Sequence, residues 1–276
     1  MTLAIPTAET RAEALERALG DVKASRPAAT RVLQLADDPN TDGARLAEAI
    51  DVDPMMTAQI LRIANSAAFG MSHRVASTQH AVSVIGFDAV RSVAALVASG
   101  LRNGRHSTPA GFWQHAASTA AACSILSSRF GIPKGEAFSL GLLHDIGIAI
   151  LHGVDQVPYA TLRTSDLDSR SQCGLELAEY GMSHAEAAAR VLEVWHFPAD
   201  FVAAIACHHD LDLGVTAHDR VLLAGELVAK VATDTTGTVE PSAEHLEARG
   251  LSADALSDLV QLTSQYAGEI LSTFAG

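Results

Sequence analysis

Apolar residues in this chain recur at intervals of three and four, and they nowhere settle into strict alternation with polar ones. Leu46 and Ile50, Ile60, Leu61 and Ala64, Val82 and Ile85, and Val90, Val93, Ala94 and Val97 all follow this spacing. Such intervals line one face of an α-helix, whereas a half-buried strand needs a period of two. Composition points the same way. Hydrophobic residues make up 48% of the chain but aromatics only 5%, which favours close-packed helices over sheets. An all-α fold is expected, and 276 residues suffice for one large domain or two lobes.

Punctuation between the periodic stretches places the helix ends. Asp53-Pro54 reads as an N-cap with proline at the first helical position, opening a helix to about Asn65. Ser183 with Glu186 three residues later forms a capping box, and that helix runs to Trp195 and stops before Pro198. Ser25–Pro27 starts a further helix. Polar turn residues at Arg102–Pro109 separate a first lobe of short helices from a second of longer ones, and Thr233–Pro241 reads as a linker. A final helix, about Ser252–Thr273, carries an apolar stripe of Leu251, Leu256, Leu259, Val260, Leu262 and Ile270, which is expected to pack back on the chain.

Charge and cysteine usage exclude several classes. The formal net charge of −13 opposes non-specific nucleic-acid binding, although a local basic pocket for one phosphorylated ligand remains compatible with it. Cys123, Cys173 and Cys207 are odd in number and widely spaced, so neither a disulfide framework nor a thiolate zinc site is expected, and a reducing compartment is the simpler reading. The N-terminal MTLAIPTAETRAEA has no basic segment followed by an apolar run, and no stretch reads as a membrane span. A cytoplasmic protein is expected.

The apolar run Leu140–Leu143 continues through His144 and Asp145 into Ile146 and Gly147, placing two polar groups inside an apolar helix. An unpaired buried carboxylate costs several kcal/mol or neutralises by a pKa shift. Asp145 therefore needs a metal ion or a set of hydrogen-bond donors. Adjacent helix positions point about 100° apart, so both side chains reach one ion only at the helix flank, unless Asp145 bridges two. His115, His184, His208 and His209 are the candidates to join from elsewhere. Five imidazoles and a carboxylate suit iron, manganese, nickel or zinc better than calcium or magnesium. Spacing alone favours the plainer alternative, a buried polar network without metal. His73, His80, His106, His152, His196, His218 and His245 read as surface or capping residues, and Trp113 and Trp195 as core packing.

These segments together resemble a known family. Leu143-His144-Asp145-Ile146-Gly147 resembles the signature of the HD superfamily of metal-dependent phosphohydrolases. Asp53-Pro54 through Asn65-Ser66-Ala67 and Gly70, then Ser77 through Gly86 and Val90-Arg91, resemble the HDOD branch. Phe112–His115, Ser183–Glu186, Trp195–Pro198 and Ile205–His209 extend the likeness, which covers roughly residues 24–232. It implies an N-terminal helical lobe (24–104), a five-helix HD-like lobe (105–232), an N-terminal helix within 1–23, and a linker with C-terminal helix over 233–276. It also implies a bacterial signalling module that acts through a regulatory protein partner, without hydrolase activity. In catalytic relatives the positions of His115, His144, Asp145, His184, His208 and His209 hold metal. The alternative is therefore a phosphohydrolase acting on a nucleotide or cyclic dinucleotide, with Asp145 as the bridging residue. Three departures bear on it. The last carboxylate ligand of the family aligns with Gly225, leaving Glu226 or Asp219 as substitutes. Ile148 stands where cyclic-di-GMP-hydrolysing relatives carry Lys. Asp210 follows His208-His209 without the Gly-Tyr-Pro of that branch.

Overall fold

A computed structural model describes residues 7–21, 27–70, 74–100, 108–163, 168–210, 216–235 and 239–274, and every regular element among them is helical. The first group comprises α1 (Ala8–Asp21), α2 (Pro27–Asp37), α3 (Gly43–Asp51), α4 (Pro54–Ala64), a 3-10 turn at Ala67–Phe69, and α5 (Thr78–Ala98). Then follow α6 (Phe112–Phe130), α7 (Lys134–Leu143), α8 (Ile146–Val154), α9 (Gln156–Leu162), α10 (Ser169–Tyr180), α11 (His184–Val194), α12 (Ala199–Ala206) and α13 (Ala217–Thr233). Two more, α14 (Ala243–Glu247) and α15 (Ala253–Phe274), complete the described chain.

The helix starts follow from local chemistry. Asp53 accepts from the backbone of Met55 and Met56 with Pro54 behind it, and Ser183 with Glu186 closes both halves of its capping box. A second box, Thr216 with Asp219, opens α13. Asn65 ends α4 and ties the chain to Val75, accepting from its N–H at 2.9 Å and donating to its carbonyl at 2.7 Å. It is a structural residue.

Helices α2, α3 and α4 pack around α5, and α5 also meets α7, with Gly135 against Ile85 and Ala89. The expected core positions Leu46, Ile50, Ile60, Val90 and Val93 are fully buried there. Arg91 bolts this group to the rest: it donates to the Ala36 carbonyl (2.8 Å) and the His196 carbonyl (3.3 Å) and lies over the Phe197 ring. Helix α6 is the central post, flanked by α7, α13 and α15.

The C-terminal helix packs within the chain, against α6, α13 and α4. Its buried stripe is Thr263, Ala267, Ile270 and Phe274, and Phe274 stacks on Trp113. Leu262, expected in that stripe, is exposed, because it sits one helical step away from Thr263. Of the other expectations, Ser25, His73, His106 and most of Arg102–Pro109 lie outside the described residues, as do 236–238 of the Thr233–Pro241 linker. His152 is buried and sets its ring edge to face against Tyr159, contrary to the surface reading; the apolar run of α8 carries it inward. Two stretches, Thr78–Ala98 and Lys134–Val154, are long and apolar enough to cross a membrane, but 72% and 89% of them are buried inside the protein. They are its core helices.

A candidate metal centre at the helix junction

His144 and Asp145 do not lie inside one helix. α7 ends at Leu143, α8 begins at Ile146, and Asp145 between them has φ −101° and ψ 12°. The turn frees the two side chains from the fixed angle of neighbouring helical positions. Gly147 follows because nothing larger fits: a Cβ there would overlap the His184 carbonyl oxygen at the start of α11. The glycine lets α8 press against α11 and brings His184 to the pair.

All six expected residues converge. His115 comes from α6, His144 and Asp145 from the junction, His184 from the first position of α11, and His208 and His209 from the turn after α12. The Asp145 carboxylate lies at the middle. Its Oδ2 is 3.3 Å from His144 Nε2 and 3.4 Å from His115 Nε2. Its Oδ1 is 3.5 Å from the Nε2 atoms of both His184 and His208. His209 Nε2 lies 2.8 Å from that of His184. Each carboxylate oxygen thus faces its own pair of imidazoles.

The seventh donor is Glu226, whose Oε1 is 3.7 Å from His144 Nε2 and which groups with His144 and His208 as a metal-ligand set. Gly225 points the other way, where a Cβ would overlap Cys123 Sγ on α6. Asp219 does not reach the centre; its carboxylate accepts from Thr216 N at 2.8 Å in the α13 capping box. Of the two substitutes considered for the last carboxylate, the fold brings in Glu226.

Electrostatics explain what the cluster requires. His144 Nδ1–H donates to the Gly141 carbonyl (2.9 Å), His208 Nδ1–H to the Ile205 carbonyl (2.6 Å), and His184 Nδ1–H to Glu176 Oε2 (2.6 Å). A proton held at Nδ1 leaves the Nε2 lone pair of a neutral ring bare. Three bare lone pairs then face an anionic carboxylate, and His208 Nε2 and Asp145 Oδ1 have no hydrogen-bond partner although buried. Buried acceptors turned on one another are unstable without a cation or added protons.

The titration shifts express the same demand. Burial pulls the His184 imidazolium down, but Cys173, Glu176 and Asp145 outweigh it and raise its pKa to about 10. Burial likewise opposes ionised Asp145, yet His144, His208 and His184 hold its carboxyl well below the usual range. His115 is pushed down to about 4, chiefly by burial. Burial and the neighbouring imidazoles of His208 and His184 also lower His209. The donor set is therefore of the kind a divalent transition metal satisfies.

Glu176 was not legible from the sequence. It is fully buried and receives Tyr159 O–H at 2.8 Å and the His184 backbone N–H at 2.8 Å, besides the ring. It fixes the orientation of His184 from a helix whose local pattern gives no hint of that role.

A cavity of about 270 Å³ opens over the centre, bounded by His115, Asp145, His184, His209 and Glu226. Ile148, Arg163 and Lys230 also line it, so the positive charge absent at position 148 is present on α9's end and on α13.

Helices wrapped around a His–Asp cluster define an all-α protein of the HD type. Residues 25–211 match the family model of the HDOD domain, and the chain belongs to that family. The match ends before α13, so Glu226 lies beyond it. No curated protein matches the chain. Among solved structures, a Shewanella amazonensis SB2B protein proposed to be a phosphohydrolase is 21% identical, with 95% of this chain and 98% of that one covered and a TM-score of 0.72. A Marinobacter aquaeolei VT8 protein proposed to act in signal transduction is 22% identical, covering 98% and 66%, with a TM-score of 0.66. An HDOD domain protein of unknown function from Geobacter sulfurreducens is 17% identical, covering 96% and 93%, with a TM-score of 0.59. At these identities the likeness shows the fold.

Proposed function

We propose that this HDOD protein is a cytoplasmic signalling protein whose HD-like lobe holds one or two divalent transition-metal ions and binds a phosphoester over them, passing that state to a regulatory protein partner. One observation carries the reading: seven donor side chains converge on a buried centre whose bare Nε2 lone pairs and unpartnered carboxylate oxygen call for a cation. His115, His144, Asp145, His184, His208, His209 and Glu226 would hold the metal. Bound there, it would supply Lewis acidity toward a phosphate and a lowered pKa for water.

The chain's own residues do the positioning. Asp145 presents one oxygen to each pair of imidazoles. Glu176 and the Gly141 and Ile205 carbonyls keep the Nε2 atoms free for coordination. Lys230 and Arg163 set positive charge at the cavity that a phosphate would enter.

A second reading, hydrolysis of a nucleotide or cyclic-dinucleotide phosphoester, is favoured by the same cavity, because it brings solvent to the centre. Metal analysis of the purified protein tests the shared premise. Stoichiometric iron, manganese, nickel or zinc, lost in Asp145→Ala, is expected; a parent protein free of metal after reconstitution sinks both readings. Incubation of the loaded protein with cyclic dinucleotides and bis(p-nitrophenyl) phosphate then separates them. Turnover abolished by Asp145→Ala selects hydrolysis, whereas binding without turnover, with a partner retained from lysate only in the ligand-bound state, selects signalling.

A further inference from the structure

Beside the cavity over the metal centre lies a larger chamber of about 580 Å³. His209, Glu226 and Lys230 line both spaces, so the two adjoin. One face of α13 forms the wall: Leu223, Glu226, Leu227 and Lys230 succeed one another at helical spacing. His245 on α14 and Arg249 just after it also line the chamber, and both come from a segment beyond the family match.

Cations gather there in a protein of net charge −13. Among the described residues neither Lys230 nor Arg249 makes an ion pair. Arg249 is half-buried and donates to the His245 carbonyl at 3.3 Å. Burial first, then the charges of Arg249 and Lys230, disfavour a proton on His245. Of the nearby acids, Asp168 caps α10, Asp210 pairs with Arg170, and Glu226 faces His144 while its charge also favours the Arg249 cation. Lys230 and His245 are exposed and Arg249 is half-buried, and like charges lining one chamber favour an anion between them.

We propose that Arg249, with Lys230, forms a second anion subsite, and that the ligand is a phosphoester bearing a further anionic group beyond an apolar or ring-shaped middle. The first phosphate lies over the metal centre; the middle lies along Leu223 and Leu227; the second anion, phosphate or carboxylate, reaches Arg249. This assignment rests on the phosphoester reading above and adds the residue that selects among phosphoesters.

Calorimetric titration of the metal-loaded full chain tests it with phenyl phosphate, 4-carboxyphenyl phosphate and 1,4-phenylene bisphosphate. Both two-anion probes are expected to bind about tenfold or more tighter than phenyl phosphate, the worth of one charge-assisted hydrogen bond. Arg249→Gln removes that advantage and leaves phenyl phosphate unchanged. Lys230→Gln weakens all three, since it lines both spaces. Circular dichroism confirms that each variant is folded, and Arg249→Lys, which keeps the charge, retains part of the advantage should Arg249→Gln unfold. Comparing the two double-ended probes tells whether phosphate or carboxylate is preferred. Equal affinity of all three probes, or an advantage that survives Arg249→Gln, overturns the subsite. If phenyl phosphate fails to bind because no metal is held, the phosphoester reading fails by itself. Inorganic pyrophosphate titrated into the same protein then reads the subsite alone, and binding unaffected by Arg249→Gln overturns it.

Discussion

Gly225 and Glu226 are one helical step of about 100° apart on α13, and that step separates a packing residue from a metal-ligand candidate. Gly225 faces Cys123, where any Cβ must push α6 and α13 apart. Gly225→Ala is expected to cost about 1–3 kcal/mol by overpacking, visible as a lower melting temperature, and Gly225→Asp to unfold the lobe without adding a ligand. Glu226→Gln should keep the fold and lower metal content. Glu176 supports a different prediction. It holds the His184 ring at Nδ1, so Glu176→Gln is expected to weaken metal affinity by about 10–100-fold. Competition against a chelator reads that loss, while the melting temperature of the metal-free protein reports any purely structural effect.

At the scale of helices, the caps were the most legible features. Asp53-Pro54 and the Ser183–Glu186 box stand where the sequence places them because a capping bond is made within three residues. Ser183→Ala should cost about 1 kcal/mol. It should also loosen His184, the first residue of that helix, and so weaken metal binding, and thermal melts with and without metal are expected to differ less in the variant than in the parent. α15 makes a different point. The apolar stripe read from the sequence packs on the core at Leu251, Leu256, Leu259, Val260 and Ile270 and leaves only Leu262 outside, while Thr263, Ala267, Thr273 and Phe274 are buried besides. The small Thr263 and Ala267 allow close approach to α6, which hydrophobicity alone does not reveal. Removing α15 strips cover from α6 and α13; a lower melting temperature with unchanged oligomeric mass by light scattering is the expected result.

Across the whole molecule, the metal centre couples stability to pH. In metal-free protein the folded-state pKa of His184 is raised from 6.5 to about 10. A raised pKa contributes stability that is complete below the unfolded value and is lost as pH rises through the folded one. Its contribution should therefore fade between about pH 6.5 and pH 10, and His184→Asn should flatten the profile in that window. Metal-loaded protein is expected to show the opposite slope at acidic pH, because protons compete with the ion for the same nitrogens. Urea denaturation at several pH values, with and without chelator, checks both.

The sequence by itself determined the helical class and several helix ends, because periodicity and caps are local signals; a polar pair in an apolar run marked the site, and the family resemblance pointed to six residues of it. Tertiary structure alone decided the rest. It put His144 and Asp145 at a junction between helices, turned Gly225 toward Cys123 and Glu226 toward His144, and spent Asp219 on a cap. It also brought Glu176 behind His184 and set Arg249 on a chamber beside the centre. These outcomes depend on how far each helix is rotated about its axis when packed, and a residue's neighbours in sequence do not specify that rotation. The His144–Asp145 pair marked where to look; the rotation of α13 completed its donor set.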